Sequence, residues 1–158
     1  MQPNKQCDLA KLKDLVSTWR RQGEVIVFTN GCFDLLHPGH LHSLNQAKQF
    51  GNRLVVGVNS DASVKRLKGV NRPIMAEQGR VDMLAALEVV DAVVVFEEDS
   101  PIHLIETILP DILVKGSDYK KSNIVGADIV EMHGGKVELI NLVPGFSTSE
   151  LVKKIKSI

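Results

Sequence analysis

"VFTNGCFDLLHPGHL", Val27 to Leu41, passes from an apolar strand into a loop that carries two histidines three residues apart, around a proline and a glycine. The strand begins upstream in "EVIVFTN", Glu24 to Asn30, a β-branched run that reads as buried. Beyond the loop, from Gly39 to Phe50, Leu41, Leu44 and Ala47 recur at helical spacing. Strand, glycine-bearing loop and helix thus follow one another directly, which is the opening of an α/β unit.

The same switch of period repeats along the chain. "RLVVGVNS" (Arg53 to Ser60) is a second strand, and a short helix from Asp61 to about Leu67 follows with Ser60 as its N-cap. A basic loop, "KGVNRP", leads to the helix "EQGRVDMLAALEVV" and the strand "DAVVVF". "DSPIHLIETIL" opens with Ser100 as N-cap and Pro101 at the first helical position, and Pro110 closes it. "DILVKGS" and "KVELINL" are the fourth and fifth strands. In the last helix, "STSELVKKIKSI", Ser147 and Glu150 have capping-box spacing and lysines crowd the final turn. The reading is an α/β fold: a five-stranded, mostly parallel sheet with helices on both faces. Residues 1–158 are expected to form one domain, with residues 1–22 as an N-terminal helical extension packed outside the core sheet.

Composition narrows the function classes. The 158 residues are 44% hydrophobic and 24% charged, a globular balance, and the formal net charge is zero. A nucleic-acid polymer would demand a basic face. The local cluster Lys65, Arg66, Lys68 and Arg72 suits a small anionic ligand better. The two cysteines, Cys7 and Cys32, make neither a disulfide framework nor a paired-thiol metal site, which points to a reducing compartment. The N-terminal stretch lacks a signal-peptide core, and no apolar run approaches the ~20 residues that span a bilayer. The expectation is a cytoplasmic protein with no membrane partner.

Ligands of open α/β sheets bind beyond the carboxyl ends of the strands, where "GCFDLLHPGH" lies. Gly31 lets the backbone turn, and Gly39 leaves room for a ligand at a helix start, whose free N–H groups and partial charge favour phosphate. His37 and His40, one turn apart, can point to the same side and donate to phosphate oxygens. Two alternatives stand beside this: histidines with only a structural role, and a pair of zinc ligands, for which no third ligand of good spacing stands out. Neither a Walker-type P-loop nor a dinucleotide G-x-G-x-x-G occurs.

"GCFDLLHPGH" resembles the H-x-G-H signature of the nucleotidyltransferase superfamily that includes cytidylyltransferases and pantetheine-phosphate adenylyltransferase. "GFSTSELVKKI" resembles its second signature, with Phe146 for the usual isoleucine. The stretch from "VGVNSDASVKRLKGVNRP" through "FEEDSPIHLIETILPDILVKGSDY" is similar to adenylyltransferases acting on D-glycero-β-D-manno-heptose 1-phosphate. In some bacteria that activity is fused to a sugar kinase domain; this sequence resembles the stand-alone form or an excised domain.

The resemblance implies a Rossmann-like fold and a reaction. A sugar 1-phosphate attacks the α-phosphorus of ATP, Mg²⁺ accompanies the nucleotide, pyrophosphate leaves, and the ADP-heptose serves lipopolysaccharide core or related surface glycans. The alternative is a CTP-dependent transferase acting on glycerol 3-phosphate or a similar small phosphate. By resemblance, His37, His40 and Lys65 are catalytic. Asn30, Gly31, Cys32, Phe33, Gly39, Arg80, Lys115, Gly116, Asp118, Tyr119, Phe146, Ser147, Thr148 and Ser149 bind the nucleotide. Asp34 and Arg72 bind the second substrate, with no resident protein-held metal. Lys65 also reads as a solvated helix lysine. Asp34 reads equally as a holder of sugar, of magnesium or of its own turn. The superfamily's habit implies a homodimer or higher oligomer.

Overall fold

The computed structural model describes residues 4–158, so the first three residues of the expected extension lie outside the described residues. The elements are β1 (Gln6–Cys7), α1 (Leu9–Arg21), β2 (Ile26–Gly31), α2 (Pro38–Lys48), β3 (Arg53–Asn59), α3 (Asp61–Lys68), α4 (Glu77–Ala86) and β4 (Ala92–Phe96). There follow α5 (Ile102–Ile108), β5 (Ile112–Gly116), a 3₁₀ turn (Lys121–Asn123), α6 (Ala127–Met132), β6 (Lys136–Ile140) and α7 (Thr148–Lys156).

The strands form one sheet in the order β1-β4-β3-β2-β5-β6, and every pairing among the described residues is parallel. Strand alternation divides the core in two. Ile26 and Phe28 of β2 and Val55 of β3 face one layer with α1, α5 and α6. Val27 of β2 and Leu54, Val56 and Val58 of β3 face the other, with α2 and α4. Both faces are covered, which is why the strands read as continuous apolar runs rather than alternating ones.

Two expectations are corrected. The sheet has six strands: Gln6 and Cys7 pair with Val93 and Val94 at the β4 edge. The N-terminal helix is not outside the core. Asp8 caps α1 by accepting from the Lys11 amide, and Leu12, Val16 and Trp19 are buried against the sheet with α5. The 3₁₀ turn and α6 are additions between the fourth and fifth expected strands. Two of the expected caps hold, Ser60 accepting from the Ser63 amide and Ser147 from the Glu150 amide, at 3.1 Å each, whereas α5 starts one residue later than expected: Pro101 is its N-cap and Ser100, one position outside, accepts from the Ile102 amide at 3.3 Å.

Candidate active site

β2 is the strand where the order reverses, with β3 on one side and β5 on the other. A crevice must open at its carboxyl end because the connections leave in opposite directions. A cavity of about 790 Å³ lies there, lined from the loop after β2 and from elements on both sides of it.

The histidines stand at the start of α2. His37 is its N-cap, and Pro38 occupies the first turn. The His37 Nδ1 accepts from the Gly39 amide at 3.1 Å. Nδ1 therefore carries no proton, and the proton of the neutral ring sits on Nε2. His40 stacks on His37 with centroids 3.8 Å apart, and Phe33 lies against its other side at 5.4 Å. Burial, with the neighbouring His37 charge adding to it, pushes the His40 pKa down to about 4; burial alone lowers that of His37. Both rings are thus neutral at pH 7. The His40 Nδ1 and the Asn30 Oδ1 are buried and have no hydrogen-bond partner among the described residues. At Gly39 a Cβ would meet the His37 ring at 2.9 Å and the Phe146 Cβ at 3.1 Å. Its absence lets the second signature close on the first.

Positive charge arrives from both flanks. Lys115, at the end of β5, reaches toward the Asn30 carbonyl at 3.4 Å and stands over the Tyr119 ring at 5.7 Å. Burial lowers its pKa to about 8, against the opposing pull of Asp118 and Cys32. Lys68 lines the opposite wall, from α3. Ser147 and Thr148 bring the α7 N-terminus to the cavity, and the Thr148 hydroxyl donates to the Asp34 carbonyl at 2.8 Å.

Asp34 is buried, and its carboxylate accepts from the Ile74 and Met75 amides, both at 2.9 Å, and from Arg72 at 3.1 Å. Burial opposes its ionisation, yet the Met75 and Ile74 amides and Arg72 together outweigh that and hold its carboxyl below the usual range. The carboxylate is occupied by the basic loop; it does not merely brace its own turn.

The cavity gathers Asn30, Gly31, Cys32, Phe33, Asp34, His37, Gly39, His40, Arg72, Lys115, Asp118, Tyr119 and Phe146 through Ser149 of the expected residues. Three stand elsewhere. Lys65 is exposed and outside the lining, because α3 turns Val64, Leu67 and Lys68 inward. Their i, i+3, i+4 spacing was the available signal for Lys68. Arg80 is fully buried, with its guanidinium on the Cys32 and Met75 carbonyls and 2.9 Å from Asp61. It stands outside the lining of the cavity. Gly116 lies behind the wall, where a Cβ would be 2.5 Å from the Asp118 Oδ1. Ser43, Asn59 and Ser100 line the cavity without having been expected. Ser43 is one turn beyond His40, and Asn59 ends β3, so helix phase and strand end were their signals. Gly79 has a packing reason: a Cβ there would press Met75 Cγ at 3.1 Å.

Among the described residues no helix is long and apolar enough to cross a membrane. Comparison with known proteins agrees with the geometry. The chain is 55% identical over 144 residues to the bifunctional protein HldE of Syntrophotalea carbinolica, covering 91% of this chain and 29% of that protein. It is 54% identical to the HldE of Methylobacillus flagellatus, covering 99% of this chain and 32% of that one. The chain therefore spans about a third of the length of the curated relatives it matches. A crystal structure of the lipopolysaccharide core biosynthesis protein of Thermoplasma volcanium superposes with a TM-score of 0.62 at 28% identity, covering 77% of this chain and 98% of that one. The cytidylyltransferase-like family model matches residues 28–156, from inside β2 to the last turn of α7 and so across both signatures and the sheet between them; the chain belongs to that family.

Proposed function

We propose that this chain transfers AMP from ATP to D-glycero-β-D-manno-heptose 1-phosphate, giving ADP-heptose and pyrophosphate. The observation that carries the reading is the convergence of two helix starts, α2 and α7, with Lys68, Arg72 and Lys115 on one cavity at the switch point. The resemblance along residues 56–119 and the identity to HldE proteins support the choice of substrates. Lipopolysaccharide core or a related surface glycan is the proposed destination of the product, and the cytoplasm the proposed place of reaction.

The chemistry fits the groups present. A phosphate monoester carries about −1.5 to −2 charge at neutral pH, so the nucleophile needs no general base. Its oxygen forms a bond to the α-phosphorus, and the bond from that phosphorus to the β-bridging oxygen breaks, with the electron pair leaving on pyrophosphate. The barrier lies in approach of two anions and in charge growing on the leaving oxygens. His37, with its proton on Nε2, donates to a phosphate oxygen without having to be charged. Lys115 and Lys68 supply the positive field, and the α7 N-terminus supplies amides.

Mg²⁺ enters as part of the nucleotide substrate. Among the described residues no cluster of three or more His, Cys, Asp or Glu is placed to hold a metal, and Asp34 is taken by the basic loop. A magnesium ion ligated mainly by phosphate oxygens and water suits that donor set, with Asp118 the carboxylate on hand. A homodimer is the proposed assembly.

Pyrophosphate release, measured with ATP or CTP against heptose 1-phosphate or glycerol 3-phosphate, tests the reading. Turnover is expected with ATP and heptose 1-phosphate. Turnover confined to CTP would refute it.

A further inference from the structure

We propose that Asp34 is a positioning residue: it bolts the basic loop of residues 69–76 to the first signature and aims the free donors of Arg72 at the anionic co-substrate. The inference deepens the proposed function and rests on it for the identity of that substrate.

Several features of the structure converge on Asp34 and the loop it holds. Asp34 is only 4% exposed, and among the described residues its carboxylate accepts from one loop alone: from the Ile74 amide, the Met75 amide and the Arg72 guanidinium. An ionised carboxylate accepts about four hydrogen bonds. Three donors, the Ile74 amide shared between both oxygens, take most of that capacity, which leaves it a poor ligand for a sugar hydroxyl or a metal ion. The backbone is bent to place it there. Phe33 and Leu35, on either side, have φ of 50° and 57°, a left-handed conformation that side chains with a Cβ rarely adopt. Two disfavoured residues flanking one acid mark a turn held by its contacts rather than by local preference.

The loop is clamped from below as well. Arg80 donates to the Met75 carbonyl and to the Cys32 carbonyl, so the same two segments are tied twice, once on each side of Met75. The Thr148 hydroxyl closes on the Asp34 carbonyl, adding the second signature to the node. Arg72 is the outcome of this arrangement. One of its nitrogens is held by Asp34, its only side-chain acceptor among the described residues, while the side chain lines the cavity. A guanidinium has five N–H donors in a rigid fork. Those left over are presented to the cavity at a fixed angle, which suits the phosphate of an incoming sugar phosphate. Without the bolt, the arginine and its loop are free to swing over the mouth.

The test uses Asp34→Asn, Arg72→Ala and the double variant. Amide hydrogen exchange of the free protein comes first and needs no substrate. Ile74 and Met75 are expected to exchange about tenfold faster in Asp34→Asn, on the scale of one lost charge-assisted hydrogen bond; unchanged protection there overturns the proposal. Kinetics then separates positioning from ligation. Asp34→Asn and Arg72→Ala are each expected to raise KM for the sugar phosphate by about tenfold while KM for ATP stays within about twofold. The double variant is expected to be no worse than Arg72→Ala alone. Multiplicative losses in the double variant, or an Asp34→Asn defect relieved by excess Mg²⁺, would overturn it. If no sugar phosphate is turned over by the wild-type chain, the proposed function fails, while the amide exchange still decides the role of Asp34.

Discussion

In the free protein the two signature histidines are neutral rings at pH 7. His40 is held near pKa 4 by burial and its neighbour, and His37 spends Nδ1 on a backbone amide. On the proposed function they contribute a fixed N–H rather than a charge, so activity should not follow a histidine titration. From about pH 6 to 7 the rate is expected to rise as the sugar phosphate loses its second proton, whose pKa is about 6. Above that it should fall as Lys115, protonated below its pKa of about 8, loses its charge. A rate that instead declines from pH 6 to 7 would assign the histidines a cationic role. His40→Ala is expected to keep the fold and lower turnover by about two orders of magnitude or more, the scale for one lost charge stabiliser. Circular dichroism and single-turnover rates check the two halves of that statement. Protonation of His40 also links to stability. Its folded pKa lies below the unfolded value of about 6.5, so the unfolded chain binds the extra proton first. Stability should therefore fall as pH drops from about 6.5 toward 4, and His40→Asn should flatten that slope in thermal melts.

At this scale the sequence could be read only partly. Glycine, histidine and serine types mark the two signatures, because phosphate binding at a helix start needs small residues and donors. The direction of a long cation is a different matter. Lys65 and Lys68 share one basic cluster in sequence, and only the phase of α3, set by buried Val64, turns Lys68 inward. Arg80 could not be told from a surface arginine, since its burial depends on three acceptors contributed by distant segments.

Among the elements, α1 carries a clear test. Leu12 is fully buried in the layer shared with α5, so the helix belongs to the core. Leu12→Ala is expected to destabilise the protein by about 2–5 kcal/mol, whereas the exposed Lys13→Ala should stay within about 0.5 kcal/mol. Equal melts for the two variants in denaturant would return α1 to the status of an appendage. The long apolar strands were legible because each is buried on both faces. β1 was not, being two residues whose strand character comes from the β4 edge they join. α6 was not, because its six residues, Ala127–Met132, are too few to show a period, and its stability comes from Val130 packed in the core. The position of α1 was missed for a related reason: amphipathic spacing shows that a helix has an apolar face, but not what covers it.

The whole molecule joins its two signatures across the reversal of strand order. The loop after β2 and the start of α7 are separated by more than a hundred residues, yet Thr148 and Asp34 share a hydrogen bond, |i−j| being 114. Walls of the cavity come from the β3–α3 side, through Asn59 and Lys68, and from the β5–β6 side, through Lys115 and Leu142. A ligand whose phosphates touch both sides binds the assembled sheet and not the unfolded chain, so its binding free energy adds to stability. At a hundred times Kd that is about 2.7 kcal/mol, or roughly 5–10 °C in Tm for a chain of this size. A non-hydrolysable ATP analogue with Mg²⁺ is expected to give that shift at saturation, and to slow amide exchange at residues 37–40 and 147–150 together. Adenosine at the same concentration lacks the phosphates that span the switch point. It should shift Tm by less than about a third as much and leave the exchange of 147–150 unchanged, the difference reflecting affinity lost with charge-assisted contacts. Equal shifts from adenosine and the triphosphate analogue would mean that the base alone holds the nucleotide, and that the two helix starts do not act as one phosphate clamp.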